Sequence, residues 1–391
     1  MHLRALLRMG RVHVLYAGDG EPIFDKVDLP DISSVVSLKR GNSRASPPAN
    51  GSPARSWRRF AVDAWGLSGW LSAPGRSEAD TIRRTLLAEN FDVVFAFHIG
   101  SALVADAVLK GTHVQLRAID WDFLESPSIV HWAARGSGQL GTLRRISAEF
   151  NAWKLRRLER RIMLRWPLQF CSSEFDVPLL QGRTAGHTIL AIDNPCFAPP
   201  QPMPVSVDGP PTALFVGTMA YWPNELAARH LLSEIWPSVR RVIPDARLCV
   251  VGRAMPASIE RYGGRDGVSI HANVPDLEPY YRRAHVALAP LRHVVGSNLK
   301  IPEAMAHARP VVGYESACVR AGVGITDGVF AASTAAQFCE HVLNLLSDLG
   351  AAAIAGAAAW RSARARLQSE SLEAKLSAAI DEAMKCKGRQ S

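Results

Sequence analysis

The sequence lacks several features that would place it in a specialised class. No apolar run reaches the roughly 18–20 residues that a membrane-spanning helix needs, and no small-residue cleavage site follows the arginine-interrupted N-terminus. The six cysteines lie far apart without a CxxC pair, which argues against a zinc ribbon and against a disulfide scaffold. We therefore expect a globular cytoplasmic protein with reduced thiols.

Acidic residues are scarce relative to basic ones, and the net charge is +9. The excess is concentrated in residues 142–165, which hold eight Lys or Arg and two Glu, with apolar residues at roughly helical spacing. Two interpretations stay open. The segment is either a solvated helix that packs its apolar stripe on the core, or a surface that attracts an anionic membrane or substrate. Nucleic acid is not an expected partner, because no nucleic-acid-binding motif accompanies the charge.

The chain is too long for one ordinary domain and divides at a proline-rich segment. Seven prolines in residues 194–211 prevent a continuous helix or an inner strand there. We predict an N-terminal domain over residues 1–195, a linker over 196–211 and a C-terminal domain over 212–365. A final helix over 366–391 is expected to return to the N-terminal domain.

In the second half, short apolar segments alternate with helical patterns. The apolar segments show no polar alternation, which is typical of strands buried on both faces of a parallel sheet. We predict strands over 212–218, 246–253, 267–274, 286–291 and 310–314, and helices over 224–242, 277–284, 298–308 and 334–349. Asn224 is placed to cap the first of these helices.

The first half is less regular but contains similar segments. Residues 12–18, 91–100, 113–120 and 168–174 predict strands of a second sheet. The predicted fold class is therefore α/β, with two doubly wound, Rossmann-like domains. Ligands of such sheets bind outside the carboxyl ends of the strands, so a cleft between the two domains is the expected site.

Residues suited to a diphosphate follow the predicted strands of the second half. They are Gly217, Thr218, Gly252, Arg253, Lys300 and Glu303. The glycines let the backbone approach a ligand closely. Arg253 and Lys300 supply two cations beside the start of a predicted helix, whose amides prefer an anion. Glu303, one turn beyond Lys300, can accept hydrogen bonds from a diol such as ribose.

Taken in order, four segments of the second half resemble the nucleotide-sugar-binding domain of retaining glycosyltransferases with the GT-B fold. They are LFVGT with the following PN, ARLCVVGR, NVPDLEPYYRRAHVALAPL and SNLKIPEAMAHARPVV. The resemblance is narrower to family four, whose members often build bacterial surface polysaccharides. It covers residues 212–350 strongly and the first half weakly.

The resemblance implies a donor site. Arg253 and Lys300 would bind the donor diphosphate, Glu303 the ribose, and the loop 273–276 would lie beside the base. No bound metal or other cofactor is implied, because protein cations offset the charge of the leaving diphosphate. The full set of expected donor-binding residues is Gly217, Thr218, Arg253, Asn273, Asp276, Gly296, Ser297, Asn298, Leu299, Lys300 and Glu303.

One position departs from the family pattern. A second glutamate, eight positions before the ribose-binding one, often touches the donor sugar, and here that position is Val295. We expect the backbone amides of Gly296, Ser297 and Asn298 to replace it. The donor sugar itself stays open.

The first half is expected to hold the acceptor. His98 and Asp120 end two neighbouring predicted strands, where related enzymes often carry His or Asp facing the reacting sugar. We predict that both contribute to catalysis by positioning the acceptor. For His98 a buried core histidine remains the alternative.

The start of the chain also departs from the family. Members usually open with a strand and a Gly-rich loop before a helix that resembles residues 2–18, so we expect that the first strand of the N-terminal domain is missing from this sequence. We expect an in-frame extension upstream, because losing a central strand would strip pairing from its neighbours.

The resemblance implies transfer of a sugar, with retention of configuration, from a UDP- or GDP-sugar to a saccharide or lipid-linked acceptor, in cell-surface polysaccharide biosynthesis. The expected location is the cytoplasm, with peripheral association at the inner face of the cell membrane as an open possibility. Two alternatives remain: a nucleotide-sugar 2-epimerase of the same fold, and a degenerate, non-catalytic nucleotide-sugar-binding protein.

Overall fold

The computed structural model describes the backbone of Val12–Gly18 and Ile32–Lys39, a few single positions before residue 91, and most of residues 91–388. The gaps in that last range are 109–113, 122–140, 183–185, 195, 197, 205–208, 220, 293, 295–298 and 367–368. The chain forms two compact units, Met1–Ile192 with Glu373–Ser391, and Asp193–Leu372. Among the described residues, no single helix combines the length and apolar composition of a membrane span, and one pair bent by 106° meets the criterion only jointly.

The second unit contains a six-stranded parallel sheet. Its strands are β7 (Thr212–Val216), β8 (Arg247–Gly252), β9 (Val268–Ala272), β10 (Val286–Ala289), β11 (Val311–Tyr314) and β12 (Val329–Ala332). The spatial order is β12-β11-β10-β7-β8-β9, in which the chain moves outward from β7 in one direction and then from β10 in the other. The order therefore reverses between β7 and β10, which are paired in parallel. In sheets of this kind, that switch point is where ligands bind.

Helices cover this sheet, so its central strands are apolar on both faces. They are α4 (Trp222–His230), α5 (Trp236–Val242), α6 (Ala257–Glu260), α7 (Glu278–Arg283), α8 (Lys300–Ala306), α9 (Glu315–Arg320), α10 (Ala335–Ser347) and α11 (Leu349–Arg366). All residues of β10 and β11 are buried, and so are Ala213, Leu214 and Phe215 of β7. The continuous apolar segments of the sequence correctly predicted this double coverage.

The helix predicted over 224–242 differs in two ways. It begins earlier, at Trp222, because Pro223 fits the first turn, where its missing N–H costs nothing. Asn224 therefore lies inside the helix, and its predicted capping role is wrong. A π-helical segment, Leu231–Ile235, separates α4 from α5. It immediately precedes Trp236 and Pro237, and a proline interrupts the i→i−4 hydrogen bonds.

The helix predicted over 298–308 is also shorter. Its seven residues begin at Lys300 and end at Ala306. Ala308 takes a left-handed backbone conformation with φ of 56°, and Pro310 follows two residues later, where a helix cannot continue. The strand β12 was not predicted, because it has only four residues and follows the glycine-rich segment 322–328.

The proline-rich segment packs against the second unit. The carbonyl oxygen of Pro199 accepts a hydrogen bond of 2.9 Å from the Trp360 indole. The Arg309 guanidinium, which is fully buried, donates to the carbonyl oxygens of Met203 and Pro204 at 3.3 and 2.8 Å. Residues 199–204 are thus held by specific contacts.

The first unit contains a four-stranded parallel sheet with the order β3-β4-β5-β6. Its strands are β3 (Val93–Phe97), β4 (Leu116–Asp120), β5 (Leu168–Cys171) and β6 (Thr188–Ala191), and a separate parallel pair joins β1 (Val12–Gly18) to β2 (Ile32–Lys39). The helices are α1 (His98–Val108), α2 (Gly141–Arg165), α3 (Val177–Gln181) and, from Glu373 onward, α12 (Ser369–Gly388). Trp121 is buried in this core, where its indole donates to Gln169 Oε1 at 2.9 Å.

The two sheets confirm the predicted fold class of α/β with two doubly wound domains. Strands β2 and β6 were not predicted, because neither contains a long uninterrupted run of apolar residues. In β6, exposed and buried residues alternate, as in an edge strand. The upstream extension and the missing first strand stay predictions. All six cysteines are free thiols.

Candidate functional site

A pocket of about 510 Å³ opens at the carboxyl edge of the sheet in the second unit. It lies outside β7, β8 and β10, at the switch point of the strand order. The described residues that line it are Val216, Gly217, Thr218, Tyr221, Asn224, Gly252, Arg253, Val274, Pro275, Leu277, Leu291, Val294, Leu299, Lys300 and Glu303. One part of this lining is apolar, and the other carries two cations and a carboxylate.

Two glycines allow the loops after β7 and β8 to approach each other. A Cβ atom added at Gly252 would lie 1.8 Å from the carbonyl oxygen of Gly217, which is backbone and has no side-chain freedom to move away. The Gly217 amide also donates to the carbonyl oxygen of Val251 at 3.0 Å. Only glycine at position 252 therefore lets the loops after β7 and β8 lie this close together at the edge of the pocket.

The Lys300 ammonium is held by a side chain from a distant helix. Its Nζ donates to Asn224 Oδ1 at 2.7 Å, and Asn224 Nδ2 donates to the carbonyl oxygen of Thr218 at 2.9 Å. The same ammonium lies 5.8 Å from the centre of the Phe215 ring. Helix α8, helix α4 and the loop after β7 are thereby joined at one cation.

The lysine carries its charge in a partly desolvated place. Burial lowers the pKa of Lys300 from 10.5 to about 8, while the neighbouring Glu303 carboxylate acts in the opposite direction. At neutral pH the side chain is still protonated. The energetic cost of that charge falls when an anion occupies the pocket beside it.

The Glu303 carboxylate lies one turn further along α8, among buried neighbours. Burial raises the pKa of Glu303, while the electrostatic interaction with His307, a hydrogen bond from the Tyr281 hydroxyl and the Lys300 ammonium all oppose that rise. Tyr281 is 1% exposed and stacks on the His307 ring with centroids 4.1 Å apart. His307 Nδ1 in turn lies 2.8 Å from the carbonyl oxygen of Glu303.

The structure brings six of the predicted donor-binding residues to this pocket. They are Gly217, Thr218, Arg253, Leu299, Lys300 and Glu303. Gly296, Ser297, Asn298 and the departing position Val295 lie outside the described residues. Arg253 is exposed at the pocket, while its carbonyl oxygen accepts a hydrogen bond from the Met219 amide at 2.8 Å.

The two remaining donor-binding predictions lie beside the pocket. Asn273 directly follows β9 in a left-handed conformation with φ of 55°, and its amide donates to the carbonyl oxygen of Gly252 at 2.8 Å. Asp276 Oδ1 accepts from the Glu278 amide at 3.0 Å, at the start of α7. Their neighbours Val274, Pro275 and Leu277 line the pocket instead.

Sequence reasoning missed Asn224, Tyr221 and Tyr281. The nearest signal for Asn224 was the PN dipeptide after β7, which was interpreted as a helix cap. Tyr281 lies in the helix predicted over 277–284, to which the sequence assigned no role in the site. Its contact with Glu303 depends on how α7 and α8 meet in space.

The predicted catalytic residues lie at adjacent strand ends of the first unit. Asp120 is the last residue of β4 and pairs in register with Phe97, the last residue of β3. His98 follows Phe97 at once, with a left-handed φ of 60°. A non-glycine residue held in that region costs on the order of 1 kcal/mol, and such residues cluster at functional sites. His98 is partly buried.

The basic segment forms the 25-residue helix α2. Ala152, Leu155, Ile162 and Met163 face the core of the first unit. Phe150, Trp153 and Leu164, by contrast, are exposed by 41%, 50% and 56%. The helix therefore packs one apolar stripe on the core, as the first interpretation expects, and leaves a second set of apolar side chains on the surface.

Comparison with solved structures identifies the same architecture. The chain is similar to a sucrose-phosphate synthase from Thermosynechococcus elongatus, with a TM-score of 0.69 and 13% identity over 98% of this chain and 91% of that one. It is also similar to a glycosyltransferase from Rickettsia africae, with a TM-score of 0.63 and 13% identity over 99% of this chain and 92% of that one. For the Anabaena protein HepE, solved with UDP and glucose, the TM-score is 0.61 and the identity 12%, over 94% of this chain and 91% of that one. At these identities the likeness establishes the fold.

By sequence, no curated protein matches the chain. Residues 210–348 match the protein family described as Glycosyl transferases group 1. That range contains all six strands, β7 to β12, helix α10, and every described residue of the pocket. The chain thus has the two-domain GT-B fold, and residues 210–348 of its second unit are similar to the glycosyl transferases group 1 family.

Proposed function

We propose that this protein is a retaining glycosyltransferase that uses a nucleoside-diphosphate sugar. The observation that carries the proposal is the pocket at the switch point, which places the cations Lys300 and Arg253 beside a carboxylate, Glu303. A leaving diphosphate develops negative charge, and cations held in place beforehand stabilise that charge without reorganisation. The chain would therefore need no bound metal for this step.

The lining suggests how the donor lies in the pocket. Diphosphate oxygens belong beside Lys300 and Arg253, and the ribose hydroxyls belong beside Glu303, which can accept their hydrogen bonds. The apolar residues Val274, Pro275 and Leu277 also line the pocket and offer an apolar contact for a base. HepE, a structural neighbour, was solved with UDP, so UDP-sugars are the first donors to test and GDP-sugars the second.

Asp120 and His98 are proposed to position the acceptor, a saccharide or a lipid-linked saccharide of a surface-polysaccharide pathway. In a retaining reaction the leaving phosphate itself can take the acceptor proton, so neither residue has to be a general base. Their place at the carboxyl edge of the first sheet, the edge where α/β sheets bind ligands, supports this role.

Incubation with UDP- and GDP-sugars tests the proposal and separates its alternatives. We expect nucleoside diphosphate to be released faster when a suitable acceptor is present, with the anomeric configuration of the donor kept in the product. Change of the sugar without nucleotide release would instead identify a 2-epimerase. Tight nucleotide-sugar binding without either reaction would identify a non-catalytic binding protein.

We also propose that the exposed face of α2 binds an anionic membrane surface, where a lipid-linked acceptor would reside. The Phe150 and Trp153 rings stack with centroids 5.9 Å apart. Lys154 Nζ lies 4.5 Å from the centre of the Phe150 ring, and Arg157 Cζ lies 5.8 Å from that of Trp153. Aromatic rings flanked by cations are typical of helices in the lipid headgroup region. The location that follows is the cytoplasmic face of the cell membrane.

Flotation with vesicles tests the membrane proposal. The protein should bind vesicles containing phosphatidylglycerol and not vesicles of phosphatidylcholine alone. Phe150→Ser with Trp153→Ser should lower binding about tenfold, whereas Phe175→Ser, at an exposed aromatic residue elsewhere in the first unit, should not. Equal binding by all variants would contradict the proposal.

A further inference from the structure

Asn224 is a buried polar side chain for which the sequence offered only a capping role. It is 6% exposed, and both ends of its amide are engaged. The helix that contains it begins at Trp222, after Tyr221, and has no side-chain cap. The asparagine is therefore not explained by helix formation, and a solvent-facing role is excluded by its burial.

The amide connects a hydrogen-bond acceptor on the loop after β7, the Thr218 carbonyl oxygen, with a donor on α8, the Lys300 ammonium. Its Nδ2 donates to the carbonyl oxygen of Thr218, which also accepts from the Tyr221 amide at 3.2 Å. Its Oδ1 accepts from Lys300 Nζ at 2.7 Å. A Cβ atom at Gly217 would lie 3.0 Å from Asn224 Cγ and Nδ2, so the glycine leaves just enough room for the amide.

The asparagine amide supplies both the donor and the acceptor that these two contacts need. An aspartate would have no donor for the Thr218 carbonyl, and a leucine of similar volume would have neither donor nor acceptor. The amide has one further property. It accepts a hydrogen bond from the ammonium without neutralising it, so the positive charge stays available to an anion in the pocket.

We infer that Asn224 is a positioning residue that fixes the Lys300 ammonium at the diphosphate subsite of the donor pocket. The inference rests on the proposed function, because it assigns the anion as the diphosphate of a nucleotide sugar. Asn224 acts through Lys300 and the Thr218 loop, and it does not need to touch the donor itself.

The charged groups around Lys300 determine how an Asn224 variant changes the pKa of the lysine. The titratable groups that line the same pocket, among the described residues, are Glu303 on the same helix, Arg253 after β8 and Tyr221 before α4. Asn224→Asp adds a carboxylate in direct contact with the ammonium. An opposite charge at that distance favours the ammonium by about one to three pKa units. Asn224→Leu removes the acceptor and has the reverse effect.

The first experiment measures the ionisation of Lys300 without a nucleotide. Lysine side-chain NMR over pH 6.5–11, with the signal assigned through Lys300→Arg, should give a midpoint near the pKa of about 8 in the native protein. The midpoint should rise by at least one pH unit in Asn224→Asp and fall in Asn224→Leu. Asn344→Asp, at an exposed helical asparagine of α10, is the matched control and should leave it unchanged.

The second experiment measures binding of UDP, GDP and the free nucleosides by calorimetry at pH 7. Asn224→Asp and Asn224→Leu should each weaken binding of the preferred nucleoside diphosphate about tenfold, while nucleoside affinity stays within twofold. Thermal unfolding establishes that each variant is folded, and Asn224→Ser replaces any variant that is not.

The outcomes separate the inference from the proposed function. If neither Asn224 variant shifts the Lys300 midpoint, or if diphosphate affinity is unchanged in both, the positioning role is overturned. If the native protein binds no nucleoside diphosphate, the proposed function falls. The NMR midpoints then decide whether Asn224 still positions Lys300.

Discussion

At the scale of single residues, the pocket holds each of its two key charges through a neutral, buried neighbour. Asn224 accepts from Lys300, and the Tyr281 hydroxyl donates to Glu303. Sequence reasoning found the charged members because they lie three residues apart after a predicted strand. It did not find their neighbours, which are 76 and 22 positions away in the sequence. Such contacts exist only once the sheet has brought its helices together.

Tyr281→Phe tests whether the tyrosine orients Glu303. The change removes one hydroxyl without altering the ring that stacks on His307, and losing a buried hydrogen bond to a charged group costs about 1.5–3 kcal/mol. Binding of UDP should weaken roughly tenfold, and the preference for UDP over 2′-deoxy-UDP should shrink. Calorimetry measures both. Tyr280→Phe, one position before, is the control, and equal effects of the two variants would contradict the role of Tyr281.

The ionisation of Lys300 predicts a pH dependence with opposite signs for binding and stability. As pH rises through about 8, the folded protein loses the ammonium, so diphosphate affinity should fall by up to about tenfold per pH unit. The unfolded chain keeps that proton to about pH 10.4. Between these values the unfolded state binds more protons, so this group's contribution to the free energy of unfolding rises with pH.

Calorimetry in two buffers of different ionisation enthalpy checks the binding part. At pH 9 we expect uptake of nearly one proton per UDP bound, because the anion restores the ammonium. Lys300→Arg should abolish the uptake, since a guanidinium stays protonated in both states. Equal proton uptake in the two proteins would assign it to another group.

At the scale of elements, the close approach of the loops after β7 and β8 shapes the pocket. Gly252→Ala puts a methyl group against the Gly217 carbonyl, and we expect the strand ends to separate, with a loss of about 1–3 kcal/mol of stability and at least tenfold weaker nucleotide binding. Gly324→Ala is the control, because a Cβ there meets nothing within 4 Å and φ is −152°. Thermal unfolding and calorimetry decide. Similar results for both variants would contradict the account.

The elements themselves were predictable where the apolar segments were long and bounded by glycine. The predicted strand over 246–253 appears as Arg247–Gly252, and that over 12–18 as Val12–Gly18. Helix ends were predicted less well, because proline and left-handed residues such as Ala308 set them locally. The π-helical segment Leu231–Ile235 has no signature in the apolar pattern that predicted the helix around it.

At the scale of the whole molecule, the two α/β units were predictable because alternating strands and helices leave few other architectures.

We also predict a division between the units, in which the first unit positions the acceptor and the second binds the nucleotide. One substitution tests it. Asp120→Asn should lower the rate of sugar transfer at least about tenfold, while UDP affinity, a property of the other unit, stays unchanged. Asp92→Asn, just before β3 at the opposite edge of the same sheet, should change neither. A loss of nucleotide affinity in Asp120→Asn would contradict the division.

The central claim is that the pocket outside β7, β8 and β10 binds a nucleoside diphosphate through Lys300. The most direct test is calorimetry of the native protein, Lys300→Ala and the exposed-lysine control Lys375→Ala with UDP, GDP and their nucleosides. The native protein and the control should bind one of the diphosphates equally well. Lys300→Ala should bind it about thirtyfold more weakly, which corresponds to about 2 kcal/mol, with nucleoside affinity kept within twofold. Equal losses for diphosphate and nucleoside, or no diphosphate binding by the native protein, would contradict the account.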